Sequence, residues 1–339
     1  MADVFEVRRV EDMDLWDRLV RGARGGTIFS GSAWLRCASE AVGGSPLMLG
    51  CYRNGRLVGG CGLLEMRRYG ISKAATPPLT PYGGFVYLTG ETLKGVREEA
   101  ERERVFTVLM DKLESDYSYV QISHAPGIVD VRHFGWRGWS TSVRYTYLVD
   151  MSGPEALWRS FEGRTRNAIN KADRRGFRVR EMDNVELFLR LYRMVYAKQG
   201  MAMPLGADAV GRLYSSVRRR GLCRMYLAES PAGDPASAVV FVLGFDTLYA
   251  WIGGADPAFN ASGANSLLYW EVLKAMSGEF PLFDFVGANI PSIAKFKRGF
   301  GGRLVPYYSN ERFASGLVRL AIGAYPLLRR ALRRLPGKG

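Results

Sequence analysis

The order of predicted elements runs twice along this 339-residue chain. VFEVRRV (4–10) alternates as a strand, and helical spacing follows at 14–23 and 32–44. Two apolar runs then flank Arg53-Asn54-Gly55-Arg56, and Asn-Gly is the strongest short hairpin signal. The Pro-rich loop TPPLTPYGG (76–84), the strand FVYL, a long charged helix from about Glu91 to Ser115, and the strands YVQISHA (119–125) and WSTSVRYTYLVDM (139–151) complete the first half. The second half replays the theme. It has a basic helix (154–175), a strand (177–182), helices at 185–197 and 207–220, and the hairpin-like runs CRMYLAES and SAVVFVLGFDTLYAWIGGADP. A helix (265–278) and a strand LFDFVGA (282–288) follow. A chain written this way folds as two α/β units of related plan, each a mixed sheet flanked by helices. Chain order places the first unit at 1–150, the second at 151–311 and a basic tail at 312–339.

Charge narrows the partners. Lys and Arg number 47 against 33 Asp and Glu, a net +14, and such a field attracts phosphodiesters, nucleoside diphosphates or anionic lipid headgroups. An Arg-rich composition without that purpose gives the same balance. The two histidines, and four cysteines with no C-x-x-C spacing, argue against a metal or redox site. MADVFEVRRVEDMD lacks the apolar stretch of a secretory signal, and no run reaches the length of a membrane span. A cytoplasmic location is expected.

Three stretches carry chemistry. In LWRSFEGRTRNAINKADRRGFRV (157–179), Arg164, Lys171 and Arg175 fall on one helical face, which is either an anion-binding face or a solvated one. In FNASGAN (259–265), small residues precede a helix whose first N–H groups could approach an anion, or simply start a helix. In FKRGFGG (296–302), a Lys-Arg pair stands between phenylalanines after FDFVGA, whose Asp284 interrupts an apolar run and needs a partner.

Together R-x-R-N-A-I-N-K-A-x-R-R-G-F-x-V, YAWIGGADPAFNASGANSLLYWEVLKA and FDFVGANIPSIAKFKRGFGG resemble the second domain of FemAB-type transferases. TIFSGSAWLRCA, YRNGRLVGGCGLL and PPLTPYGGFVYL resemble the first. The resemblance implies tandem GNAT-like domains, each with a splayed central strand pair, and N-acyl transfer to an amine of a cell-envelope precursor. The implied co-substrate is an aminoacyl-tRNA or an acyl-CoA, with no resident cofactor, and the implied acceptor is phosphorylated or lipid-linked. It carries a catalytic role onto Lys297, with Phe296 walling the site. Substrate contacts fall to Arg164, Arg166, Lys171, Lys198, Tyr82, Asp284 and Arg298. Donor contacts fall to Asn260, Gly263 and Asn265, which stand in the GNAT pyrophosphate-loop positions. A basic protein that only binds nucleic acid or a membrane surface is the competing reading.

The tail RFASGLVRLAIGAYPLLRRALRRLPGKG (312–339) places Leu317, Leu320, Ala321, Ala324, Leu327, Leu328, Ala331 and Leu335 at helical spacing among Arg319, Arg329, Arg330, Arg333 and Arg334. Pro326 is expected to kink or divide the helix. Such a tail packs on the body, lies on an anionic membrane as a peripheral contact, or contacts nucleic acid.

Overall fold

The Asn-Gly turn forms as its chemistry dictates: Asn54 (φ 49°) and Gly55 (φ 80°) are both left-handed and join two antiparallel strands. The computed structural model describes residues 3–89 and 95–332, with side chains through residue 324 at that end. The first half comprises β1 (Phe5–Arg9), α1 (Met13–Gly22), α2 (Ser32–Val42), β2 (Ser45–Arg53), β3 (Arg56–Arg68), β4 (Ile71–Ala75), β5 (Gly84–Tyr87), α3 (Val96–Asp116), β6 (Tyr119–Ser123), α4 (Arg132–Trp136) and β7 (Ser140–Asp150). The start of the long charged helix, expected at Glu91, lies outside the described residues. The second half comprises α5 (Pro154–Ser160), α6 (Gly163–Arg174), β8 (Arg178–Met182), α7 (Val185–Lys198), α8 (Ala207–Arg219), β9 (Cys223–Glu229), β10 (Pro235–Leu243), β11 (Thr247–Ala255), α9 (Ala264–Met276), β12 (Leu282–Asp284), α10 (Pro291–Arg298) and β13 (Arg303–Phe313); α11 (Gly316–Leu332) follows.

The α/β character is as expected, but the sheet is one continuous surface in the order β1-β2-β3-β4-β6-β13-β7-β12-β11-β10-β9-β8, with β5 pairing β3. Each half sends its last strand into the other. β7 pairs with β12 of the second half, β13 pairs with β6 of the first, and β7 and β13 run antiparallel against each other from Arg303↔Leu148 to Glu311↔Ser140. On either side of this ribbon the next pairs are parallel, β4 with β6 and β11 with β12. Division at residue 150 therefore follows chain order but not strand pairing. The apolar core also crosses the joint: Phe29 meets Tyr249 at 4.8 Å between ring centroids, and Trp34 meets Trp251 at 5.1 Å. Burying such aromatics contributes roughly 1.5–3 kcal/mol each.

Three expected elements differ. The basic helix of 154–175 breaks into α5 and α6, because Phe161 turns into the core against Trp270 and Phe300. The Arg166 guanidinium then supplies donors to the carbonyls of Trp158, Arg159 and Phe161, which the end of α5 would leave unpaired. The strand expected over 282–288 stops at Asp284, since Val286 (φ 52°) and Gly287 (φ 80°) turn the chain away. Finally, α11 runs past Pro326 to Leu332 without being divided. The tail side chains from residue 325 onward, including Leu327, Leu328, Arg329, Arg330, Ala331, Arg333, Arg334 and Leu335, lie outside the described ones. Among the described residues no helix is long and apolar enough to cross a membrane.

Candidate active site

The FKRGFGG stretch shows what an apolar collar around a cation accomplishes. Phe296 packs on Tyr269 and Phe300, and Phe300 on Phe161 and Phe285, with centroid separations of 5.1–5.5 Å. Inside this collar the Lys297 ammonium, with 9% of the residue exposed, donates to the carbonyls of Phe285 (2.7 Å), Val286 (3.0 Å) and Gly287 (2.6 Å). All three N–H bonds are thus committed to the turn after β12. Burial lowers the ammonium's pKa to about 8, opposed by the nearby Asp284 charge.

Asp284 anchors the other side of that turn. Its buried carboxylate accepts from Thr146 Oγ1 (2.6 Å), the Val286 N–H (2.7 Å) and the Tyr82 hydroxyl (2.8 Å). Burial raises its pKa, while those donors and Lys297 pull it down. Tyr82 comes from the first half, so this carboxylate fastens the two halves at the site. Tyr82 itself is fully buried, and does not face an open cleft.

β11 and β12 pair only over Thr247–Tyr249 and Leu282–Asp284, after which they diverge. The wedge between them is a cavity of about 310 Å³ walled by Trp251, Gly254, Tyr269, Val286, Phe296 and Lys297, with Lys198 of α7 among its lining residues. A second space of about 230 Å³ adjoins it at the start of α9, sharing Asn260, Asn265 and Phe296 and including Gly263. The sequence-derived donor residues Asn260, Gly263 and Asn265 are therefore brought together beside Lys297. Gly263 is left-handed (φ 89°), and a Cβ there would stand 2.1 Å from the Ala168 carbonyl oxygen of α6. Gly263→Ala is expected to destabilise the protein by about 2 kcal/mol or more. Urea unfolding measures this, and an unchanged midpoint would mean the loop is free to move away from α6.

The remaining cations do not converge there. Arg164 pairs with Glu162 (2.6 Å) and donates to the Lys295 carbonyl (2.9 Å). Arg298 pairs with the same Glu162 at 3.1 Å, and Arg166 caps α5. Lys171 donates to the Ala261 carbonyl at 2.8 Å and thereby fixes the loop before α9. Lys198 and Lys297 are the cations lining the wedge among the described residues.

A third cavity, of about 460 Å³, was not foreseen from the sequence. Its floor is the polar face of the exchanged ribbon and β6, with Gln121, Ser123, Ser142, Arg144, Ser309 and Glu311, and its wall is the 76–80 loop. The signal was present: Ser140, Ser142, Arg144 and Thr146 alternate as a polar strand face. The two spaces are linked through the Trp251 indole N–H, whose residue lines the wedge, donating at 2.6 Å to the carbonyl of Leu79, which lines the trough.

Among the described residues, the first half closes the corresponding gap. The Gly83 N–H donates to the Ser123 carbonyl at 2.8 Å and closes the gap between β5 and β6. The first turn of α3 also carries Glu98 and Glu99, which would repel an anion.

Parallel strands that pair and then splay, with a small-residue loop leading into the next helix, form a GNAT-like arrangement. Residues 159–298, which lie in the second half, match the family described as acetyltransferase (GNAT) domain. The chain is similar in fold to FemX, with a TM-score of 0.67 at 13% identity over 89% of this chain and 96% of FemX. It is also similar in fold to a tandem GNAT protein from the clavulanic acid biosynthesis pathway (TM-score 0.50, 13% identity, 93% and 99% of the two chains). A third similar structure is the C-terminal domain of a putative lysylphosphatidylglycerol synthetase from Agrobacterium fabrum (0.52, 12%, 88% and 95%). No curated protein sequence matches the chain.

Proposed function

We propose that the chain transfers an aminoacyl group from the ester of a charged tRNA to an amine of a cell-envelope precursor. The observation that carries this reading is the adjacency of two different cavities across the Trp251–Leu79 contact. One is a wedge beside a buried ammonium, and the other is a polar trough lined by hydroxyls, Arg144 and Glu311. The donor ester lies in the wedge and the acceptor body in the trough, with its amine reaching past Leu79.

The neutral amine attacks the ester carbonyl and a C–N bond forms, placing negative charge on the carbonyl oxygen. Lys297 favours that charge through its field in a water-poor site. Because its three N–H bonds hold the 285–287 turn, it also positions Val286, which walls the wedge. The tetrahedral adduct then expels the ribose oxygen, the C–O bond breaks, and the leaving oxygen takes up the proton released by the attacking amine. No histidine is required.

Acyl-CoA is the second reading, favoured by the space at the start of α9 and the acetyltransferase family match. Against it, Asp256 lines that space while Lys171 is already engaged by Ala261. Thermal-shift titration separates the two. Stabilisation by aminoacyl-tRNA and not by CoA thioesters is expected. A rise in Tm with CoA thioesters alone would replace the first reading with the second.

A further inference from the structure

The proposed acyl transfer does not account for the C-terminal helix. α11 leaves the end of β13 carrying Leu317 at 79% and Leu320 at 71% exposure, with Ala321 exposed beside them. These residues are one turn apart and share a face, whereas Val318 and Ile322 on another face are half-buried. An apolar helical face turned outward has no partner among the described residues. The sequence says what kind of surface would cover it: from Ala314 to Gly339 the chain carries Arg319, Arg329, Arg330, Arg333, Arg334 and Lys338, and no Asp or Glu. Leucines backed by an all-cationic composition suit an interface with an apolar layer beneath anionic headgroups.

The helix is also placed with respect to the polar trough. The Arg319 guanidinium lies over the Phe313 ring at 5.7 Å, Phe313 packs on Tyr119 at 4.9 Å, and Tyr119 lines the trough. We infer that α11 lies on an anionic bilayer with Leu317 and Leu320 in its outer layer, holding the mouth of the trough beside the headgroups. The inference stands apart from the acyl-transfer reading, because binding is measured without turnover.

The test is co-sedimentation of the full chain with vesicles of phosphatidylcholine, alone or with about one third phosphatidylglycerol. Binding to the anionic vesicles should exceed binding to the neutral ones by roughly tenfold or more, and the double variant Leu317→Glu/Leu320→Glu should lose most of it. Both leucines are exposed, so circular dichroism and Tm should match the wild type. Three results would overturn the inference. One is absence of binding to anionic vesicles. Another is salt-sensitive binding that the glutamates leave unchanged, as for a nucleic-acid-type cationic surface. The third is a wild-type dimer on gel filtration that the glutamates convert to monomer, which would assign the face to a second copy of the chain.

Discussion

Lys297→Met is expected to lower kcat by about 10²- to 10³-fold, the scale of removing one positioned electrostatic group. It should also cost roughly 2–4 kcal/mol of stability. The methionine escapes the burial penalty of a charge, but the carbonyls of Phe285, Val286 and Gly287 lose their donor. Activity is therefore compared well below the variant's own Tm, with circular dichroism confirming the fold. The pH profile gives the mechanism a second readout. The Lys297 ammonium is present below about 8 and is lost as pH rises through that value, so wild-type kcat should fall on the alkaline side of about 8. The stability consequence has the opposite sign. The unfolded chain keeps this proton up to its ordinary 10.5, so the penalty of burying the charge is fully present below about 8 and fades between 8 and 10.5. Residual K297M activity should show no such alkaline limb. A K297M enzyme with wild-type turnover would remove Lys297 from the chemistry.

Asp284→Asn is expected to cost about 3–5 kcal/mol, because it breaks a buried charged network rather than replacing it. Three donors converge on the two carboxylate oxygens, from Tyr82, Thr146 and the Val286 N–H. An amide offers one oxygen, and its NH₂ group must face at least one of those donors. The effect extends to Lys297. Without the Asp284 charge, which holds the ammonium's pKa up against burial, the alkaline limb should move to lower pH. Chemical denaturation and the kcat profile measure the two effects separately. An unstable variant with an unmoved profile would mean that Asp284 is structural only and that its charge is not felt at the ammonium.

The repeat of elements, the collar around Lys297 and the need of Asp284 for partners could all be read from residue order and type. Each is a local property: periodicity, turn chemistry, or a charge set among apolar neighbours. The partners themselves were not legible. Although a Lys-Arg pair follows it in the chain, Asp284 takes two hydroxyls and an N–H, and Lys297 reaches it only across the turn they share. Arg164, Arg166, Lys171 and Arg298 read as substrate ligands from the resemblance and from charge clustering, with Arg164 and Lys171 on one helical face. Spacing does not reveal that carbonyls at a helix end or Glu162 lie within reach. The exchange of β7 and β13 was hidden for a related reason. Both strands alternate with a period of two residues, and alternation fixes which face is polar but not which neighbour a strand takes.

That exchange limits how the molecule can breathe. In two-lobed enzymes, substrates commonly enter when one lobe rocks away from the other about a hinge. Here such rocking would have to shear nine consecutive residue pairs, from Arg303↔Leu148 to Glu311↔Ser140, that stitch the lobes through their centre. Liberating either lobe as a separate polypeptide would strip a strand from the middle of both, so the smallest working unit is the undivided pair.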